Sequence, residues 1–191
     1  MVKSDNLFSL ISVDYLIDEC DLGYLMIAAT SIGVCRISLA NNRQYLENSL
    51  PIGFCNSKGG NRNLNEWFCM IQKHLSGEIL DLQIPTHTQG TVFQQVVWSQ
   101  LTQIRYGDTV SYSEIAKEIG NMRAIRAVAN ACGRNPTPII IPCHRVIRKN
   151  GDIGGYGLGI SRKRSLLERE RRIATKNSTS DKYLENVLFP L

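Results

Sequence analysis

No two of the six cysteines form a CxxC pair; they fall at positions 20, 35, 55, 69, 132 and 143 without a regular interval. That spacing argues against a zinc finger and against a disulfide framework, both of which need short recurring intervals. Most of these thiols are expected as reduced, buried small side chains. Cys20, Cys35, His74 and His87 could meet around a metal only by converging from distant points, so no metal and no cofactor is expected. Long apolar runs are also missing. The longest, Leu7–Ile11, is broken by Ser9 and lies between Asp5 and Asp14, too short for an export signal or a membrane span. The expectation is an intracellular, cytoplasmic protein with no membrane partner.

Charge of one sign is scarce in each half. Residues 1–89 carry 6 Lys and Arg against 9 Asp and Glu, and residues 90–191 carry 16 against 8, so the halves stand at −3 and +8 within a total of +5. A basic half suits a phosphate-rich partner, because Lys and Arg near phosphates release condensed counterions. A well-solvated surface would look the same by charge alone. With 191 residues and 43% hydrophobic content, the chain can bury one full core or two small ones.

Local patterns divide the chain. Residues 7–17 and 24–39 are rich in Ile, Val, Leu and Tyr with small polar punctuation, which predicts a meander of short strands. Residues 56–65 read as a loop around Gly59-Gly60. Leu64, Trp67, Phe68, Ile71 and Leu75 recur at helical steps. Ile84–Gly90 has the makeup of a linker. Beyond it, Val92, Phe93, Val96, Val97, Leu101 and Ile104 form a second helical stripe with its face in the core. Ser111 and Glu114 make a capping box for a short helix. A second helix after Gly120-Asn121 would bury Ala124, Ile125, Val128, Ala129 and Cys132, giving a helix-turn-helix candidate. The fold class expected is α/β (α+β): a small amino-terminal α/β domain over 1–88, a mostly helical domain over 89–173, and a carboxy-terminal tail, taken as a flexible end, over 174–191.

The chemistry concentrates in Ile139-Ile140-Ile141-Pro142-Cys143-His144-Arg145-Val146. The apolar β-branched triplet predicts a buried strand, and the proline a turn that delivers Cys143 at its rim. A free thiol titrates near 8.5, so it reacts at neutral pH only with a cation or a base beside it. Alternate residues of a strand face opposite ways, so His144 reaches Cys143 only if the chain turns there. Standing alone, Cys143 would read as a small core residue. It is preceded by Gly133-Arg134-Asn135-Pro136 and followed by Gly154-Gly155-Tyr156-Gly157-Leu158-Gly159 and a charged helix from about Ser161.

That order resembles the O6-alkylguanine-DNA alkyltransferase family, and the likeness extends from residue 90 to residue 172 through Gly90–Trp98, Tyr106-Gly107 and Ser111-Tyr112. It implies a DNA-repair protein, acting as a monomer on double-stranded DNA, that moves the alkyl group of O6-alkylguanine irreversibly to its own Cys143, once per molecule; O4-alkylthymine stays open as a second substrate. By resemblance His144 removes the thiol proton through a water, Glu170 orients the imidazole, and the Tyr112 hydroxyl donates to the purine. Arg126 enters the duplex as the nucleotide is rotated out. Ala127 and Ala129 allow close approach to DNA, with Tyr112 and Arg134 also at that surface. Asn135 ties the second helix to the cysteine segment, and Val146, Tyr156 and Gly157 line the base pocket. Some relatives have serine where this chain has Gly157, which implies a roomier pocket. Three readings of other classes remain: a lesion binder without transfer, a helix-turn-helix transcription factor and a Cys-His hydrolase.

Overall fold

The computed structural model describes residues 12–51, 53–56 and 63–188; the expectations for residues 7–11 and for most of the loop around Gly59-Gly60 lie outside them. The first part is a four-stranded sheet of order β3-β2-β1-β4, built from β1 (Val13–Cys20), β2 (Gly23–Ala29), β3 (Val34–Ala40) and β4 (Phe54–Asn56). β1 and β3 flank β2 antiparallel, and β4 joins β1 in parallel. β2 is buried on both faces, and its side chains alternate between two clusters. Leu25, Ile27 and Ala29 face one, Met26 and Ala28 the other, as the two-residue period of a strand requires. Helix α2 (Leu64–Ser76) covers the first face with Leu64, Trp67, Phe68, Ile71 and Leu75. The short α1 (Arg43–Asn48), capped by Asn42, covers the second with Leu46.

The expected linker is partly structural. Ile84 is buried in the first cluster, Val34 N–H donates to Pro85 O and His87 N–H to Val34 O, at 2.9 and 2.8 Å. The segment therefore runs beside β3 rather than free in solvent.

The second part packs α3 (Val92–Leu101), α4 (Tyr112–Glu118) and α5 (Ile125–Gly133) around Val97, Trp98, Leu101, Ile115, Val128 and Ala131. α3 opens with a Thr91–Gln94 capping box and α4 with the expected Ser111–Glu114 box. Trp98 Nε1–H donates to Ala131 O at 2.9 Å and ties α3 to α5. Two expected stripes rotate slightly. Val92, Val96 and Ile125 are exposed, and Trp98, a residue outside the α3 stripe, is buried against α5. A two-stranded parallel ladder joins β5 (Val110–Ser111) to β6 (Val146–Ile147).

The triplet Ile139–Ile141 corrects the expected strand. It is a tight turn closed by a Pro138↔Ile141 bridge and an Ile141 N–H to Thr137 O bond, and Ile139 has φ +81°. A β-branched residue in the left-handed region is strained. Burial compensates: Ile139 lies in the first cluster and Ile141 in the second, so the turn pins the two cores together. α6 (Ile160–Leu188) closes the fold. Its inward face brings Lys163, Leu166 and Glu170 to one side, and the helix runs on through residue 174, where a tail was expected to begin.

Candidate active site

A 3-10 turn over Cys143–Arg145, entered through Pro142, supplies the bend that the strand period would have denied. It sends three adjacent side chains in three directions, all buried. Cys143 Sγ stays in the second cluster at 6% exposure and accepts a hydrogen bond from Asn135 Nδ2 at 3.1 Å. The same amide nitrogen donates to Ile141 O at 2.8 Å, and Asn135 Oδ1 accepts from Thr137 N–H. Asn135 thus links the end of α5 to the cysteine turn.

His144 is fully buried, and its Nε2 lies 2.8 Å from Glu170 Oε1. The carboxylate accepts, so Nε2 carries the proton and Nδ1 is left as a lone-pair acceptor. Nδ1 has no hydrogen-bond partner among the described protein groups. Burial lowers the imidazole's proton affinity, outweighing the pull of Glu170, and keeps it a neutral base.

Glu170 is the hub of the site. Oε1 accepts from His144 and from Arg145 Nη2 at 3.0 Å, and Oε2 accepts from Arg145 Nε at 2.8 Å and from Gly107 N–H at 3.2 Å. Burial alone would raise its pKa, but the hydrogen bonds and charges of His144 and Arg145 outweigh that and bring it down to about 2. Gly107 reaches the carboxylate only with φ +87°, and a Cβ there would stand 2.6 Å from Ala174 Cβ.

The thiol itself departs from the poised anion that the motif suggests. Burial pushes Cys143 up to about 11, against the Asn135 N–H and the Lys163 charge, which favour the anion. At rest the group is a thiol. The thiolate has to be made when substrate arrives, with the proton handed to a base.

Around the sulfur, Tyr112 at the start of α4 is half-buried. Its hydroxyl would lie 3.3 Å from a Cβ on Gly154, whose φ is +66°, so a side chain there would crowd the phenol. Val146 is buried, and the Tyr156 ring stands 6.2 Å from His144, edge to face. Gly157 is exposed, with only Gly133 O, at 3.9 Å, near its Cβ direction. On α5, Arg126 and Ala127 are exposed and Ala129 is half-buried, with Arg134 exposed at the helix end. Met122 and Ile125, 71% and 42% exposed, flank the same helix start.

Two residues of this site escaped the sequence reading. Arg145, 6% exposed, donates to Glu170 and, through Nη1, to Ile104 O at 2.7 Å. Lys163, fully buried, donates to Val146 O at 2.6 Å and Gly155 O at 3.2 Å, clipping the glycine-rich loop to β6. The helical spacing Lys163–Leu166–Glu170 could have exposed the lysine, since it shares the inward face with Glu170. Cys35, His74 and His87 do not converge on a metal: Cys35 bonds to Ala28 O, His74 to Ile79 O and His87 to Thr30. Among the described residues no group of three or more His, Cys, Asp or Glu is placed to hold one.

Fold and site together define a class of protein: a buried cysteine next in sequence to a buried histidine that is hydrogen-bonded to a glutamate, with a helix pair that carries an exposed arginine. The family model for the 6-O-methylguanine DNA methyltransferase DNA-binding domain matches residues 92–172. A methylated-DNA–protein-cysteine methyltransferase of Methanosarcina acetivorans is 35% identical over 156 residues, covering 82% of this chain and 97% of that protein. The bifunctional transcriptional activator/DNA repair enzyme Ada of Escherichia coli is 39% identical over 167 residues, 84% of this chain and 46% of that one; the chain spans about half the length of that relative. The crystal structure of Mycobacterium tuberculosis OGT in complex with DNA superposes with a TM-score of 0.75 at 34% identity, covering 84% of this chain and 94% of that one. The chain belongs to the methylated-DNA–protein-cysteine methyltransferase family.

Proposed function

We propose that this protein repairs double-stranded DNA by moving the alkyl group of O6-alkylguanine to Cys143 Sγ, once per molecule, which is the activity of a methylated-DNA–protein-cysteine S-methyltransferase. The observation that carries this reading is the arrangement of Asn135, Cys143, His144 and Glu170. The thiol proton passes to His144 Nδ1 through one water, while Nε2–H stays on Glu170. Sγ bonds to the alkyl carbon, the C–O bond breaks, and its electron pair remains on the purine. A proton returns to the purine, so that the thiol proton ends on guanine. The Tyr112 hydroxyl donates to the ring as charge develops there, lowering the barrier. The thioether is not hydrolysed, so transfer saturates at one alkyl group per chain. Intact mass spectrometry after mixing with a methylated duplex tests this: a one-to-one adduct on the peptide containing Cys143 is expected, and catalytic turnover or an adduct elsewhere would overturn it.

The DNA face is the α4–α5 pair. Arg126, Ala127, Ala129 and Arg134 lie along it, in the half of the chain with net charge +8, where phosphate contacts supply sequence-independent affinity. Arg126 fills the gap left by the rotated nucleotide. Arg126→Ala should slow repair of duplex DNA at least ten-fold, a flipped base costing a few kcal/mol without its substitute, and leave the reaction with free O6-benzylguanine within about two-fold. Equal losses in both assays would remove the flipping role.

Gly157 sets the pocket's width. Serine fits there without strain, since φ is ordinary and Gly133 O is 3.9 Å from the new Cβ. Gly157→Ser should leave thermal stability unchanged while lowering the benzyl-to-methyl rate ratio. A ratio equal to the parent's would show that this position does not select the adduct.

No helix among the described residues is long and apolar enough to cross a membrane, which fits a cytoplasmic place of work on DNA. The division into an amino-terminal domain over 1–88 and an alkyltransferase domain over 89–173 belongs to the same proposal, and the separate hydrophobic clusters of the sheet and of α3–α5 support it.

A further inference from the structure

The row of side chains that reaches His144 does not begin at Glu170. Arg145 spends Nε, Nη1 and Nη2 on Glu170 and Ile104 O, and all of these bonds lie in the guanidinium plane. They hold it along its edges, so that support of its flat face falls to another group. Tyr106 gives that support, since its ring centroid lies 5.4 Å from Arg145 Cζ, within cation–π range. Tyr106 is held in turn by His74 of α2, whose ring meets it edge to face at 5.2 Å and 84°. His74 is 3% exposed and anchored by Nδ1–H to Ile79 O at 2.9 Å. Burial, with Arg145 nearby, brings its pKa down to about 4, so the ring is neutral and does not repel the guanidinium.

A cleft of about 830 Å³ lies beside these three residues, lined by His74, Tyr106, Pro142, Arg145 and the 80–86 segment. Close packing normally immobilises a ring from all sides. Here one side is open, so the edge-to-face contact carries more of the restraint than it would in a filled core. The Tyr106 hydroxyl has no hydrogen-bond partner among the described residues; what Tyr106 contributes is its ring face.

We infer that Tyr106 and His74 are positioning residues for alkyl transfer: the amino-terminal part of the chain reaches the chemistry through His74, Tyr106 and Arg145, which together hold the Glu170 carboxylate in register with His144. The inference rests on the proposed reading in which His144 serves Cys143, and it assigns the sheet-and-α2 part a task in that reaction. The charged groups that act on His144 are Glu170, Arg145 and Lys163, and the Tyr156 ring meets its ring edge to face at 6.2 Å. If Arg145 tilts away, more of the Glu170 charge falls on His144, whose proton affinity rises. The base is then lost to protonation at a higher pH.

The test is single-turnover transfer from free O6-benzylguanine to the full chain between about pH 5.5 and 9, with thermal unfolding measured in parallel. Free base bypasses DNA binding. Tyr106→Phe keeps the ring face and should retain the parent rate and pH profile. Tyr106→Leu should react roughly five-fold more slowly, the equivalent of one partly buried cation–π contact, with the acid limb displaced to higher pH. His74→Leu should move the limb the same way by less, and His74→Phe, which keeps an aromatic edge, should restore it. A Tyr106→Leu protein with the parent's rate and limb would overturn the inference, as would a Tyr106→Phe protein as slow as Tyr106→Leu. If Tyr106→Leu does not fold, the His74 pair decides: equal limbs for Leu and Phe at that position reject the inference. A parent chain that takes no alkyl group on Cys143 from a methylated duplex would instead reject the proposed function.

Discussion

Cys143→Ala is expected to abolish alkyl transfer while leaving affinity for duplex DNA within about two-fold, as is usual for a change away from the binding surface. In the proposed reaction the sulfur of Cys143 is the atom that receives carbon. Cys132 belongs to the same cluster, but burial pushes it up to about 12, and the Cys143 charge pushes the same way. The variant should fold. Alanine keeps the Cβ, and Asn135 Nδ2 loses the sulfur as acceptor but retains Ile141 O at 2.8 Å, so the tie between α5 and the cysteine turn survives. The face proposed for DNA has Arg126 and Ala127 exposed on α5, whereas the turn over Cys143–Arg145 is buried. Mass spectrometry with a methylated duplex and fluorescence anisotropy with the same duplex separate the two effects. A variant that still gained an alkyl group would rule out Cys143 as the acceptor; one that lost DNA affinity along with transfer would mean that the turn and the helix pair are not independent.

The legible parts of this fold are those set by neighbours in sequence. The Ser111–Glu114 capping box starts α4 where expected, because both of its bonds close within three residues. The α2 stripe buries the five expected side chains. Glu170, four residues after Leu166, is buried on the same helix face, as periodicity alone dictates. The illegible parts are set by partners far away. The Ile139–Ile141 triplet reads as strand by propensity, yet two cores pull its side chains apart and force Ile139 to φ +81°. Nothing in the local sequence around Arg145 and Lys163 announces their burial, and only the fold supplies the carboxylate and carbonyls that allow it. The protonation of Cys143 is likewise set by distant partners, for the burial that pushes its thiol up comes from the packed cluster around Sγ and not from its neighbours in sequence.

Glu170→Gln is the second change of large effect, and the geometry of the hub explains why. All four groups that face the carboxylate are donors: His144 Nε2–H and Arg145 Nη2–H on one oxygen, Arg145 Nε–H and Gly107 N–H on the other. An amide of the same shape has one oxygen to offer and an NH2 that must face the other pair. If the NH2 turns to Arg145 and Gly107, a buried guanidinium loses its counter-charge. If it turns to His144, the imidazole must accept at Nε2 and move its proton to Nδ1, the nitrogen that is to receive the thiol proton. Either way transfer should fall by roughly 10²- to 10⁴-fold, the usual worth of a positioned base. Leaving one member of a buried pair unmatched costs roughly 3–5 kcal/mol, enough to lower Tm by roughly 10 °C in a chain of this size. The pH dependence gives an independent signature. Glu170 falls from its ordinary 4.5 to about 2 in the folded chain. A depressed carboxylate adds stability that is fully present above the unfolded value and is lost as pH drops through the folded one, here about 3 kcal/mol between about pH 4.5 and pH 2. Glutamine does not titrate, so the variant should be less stable at neutral pH and should lose less on acidification across that window. Thermal melts of both proteins from pH 7 to pH 2, with transfer rates at pH 7, check both effects; parallel stability curves and a rate within a few-fold of the parent's would remove Glu170 from the centre of the site.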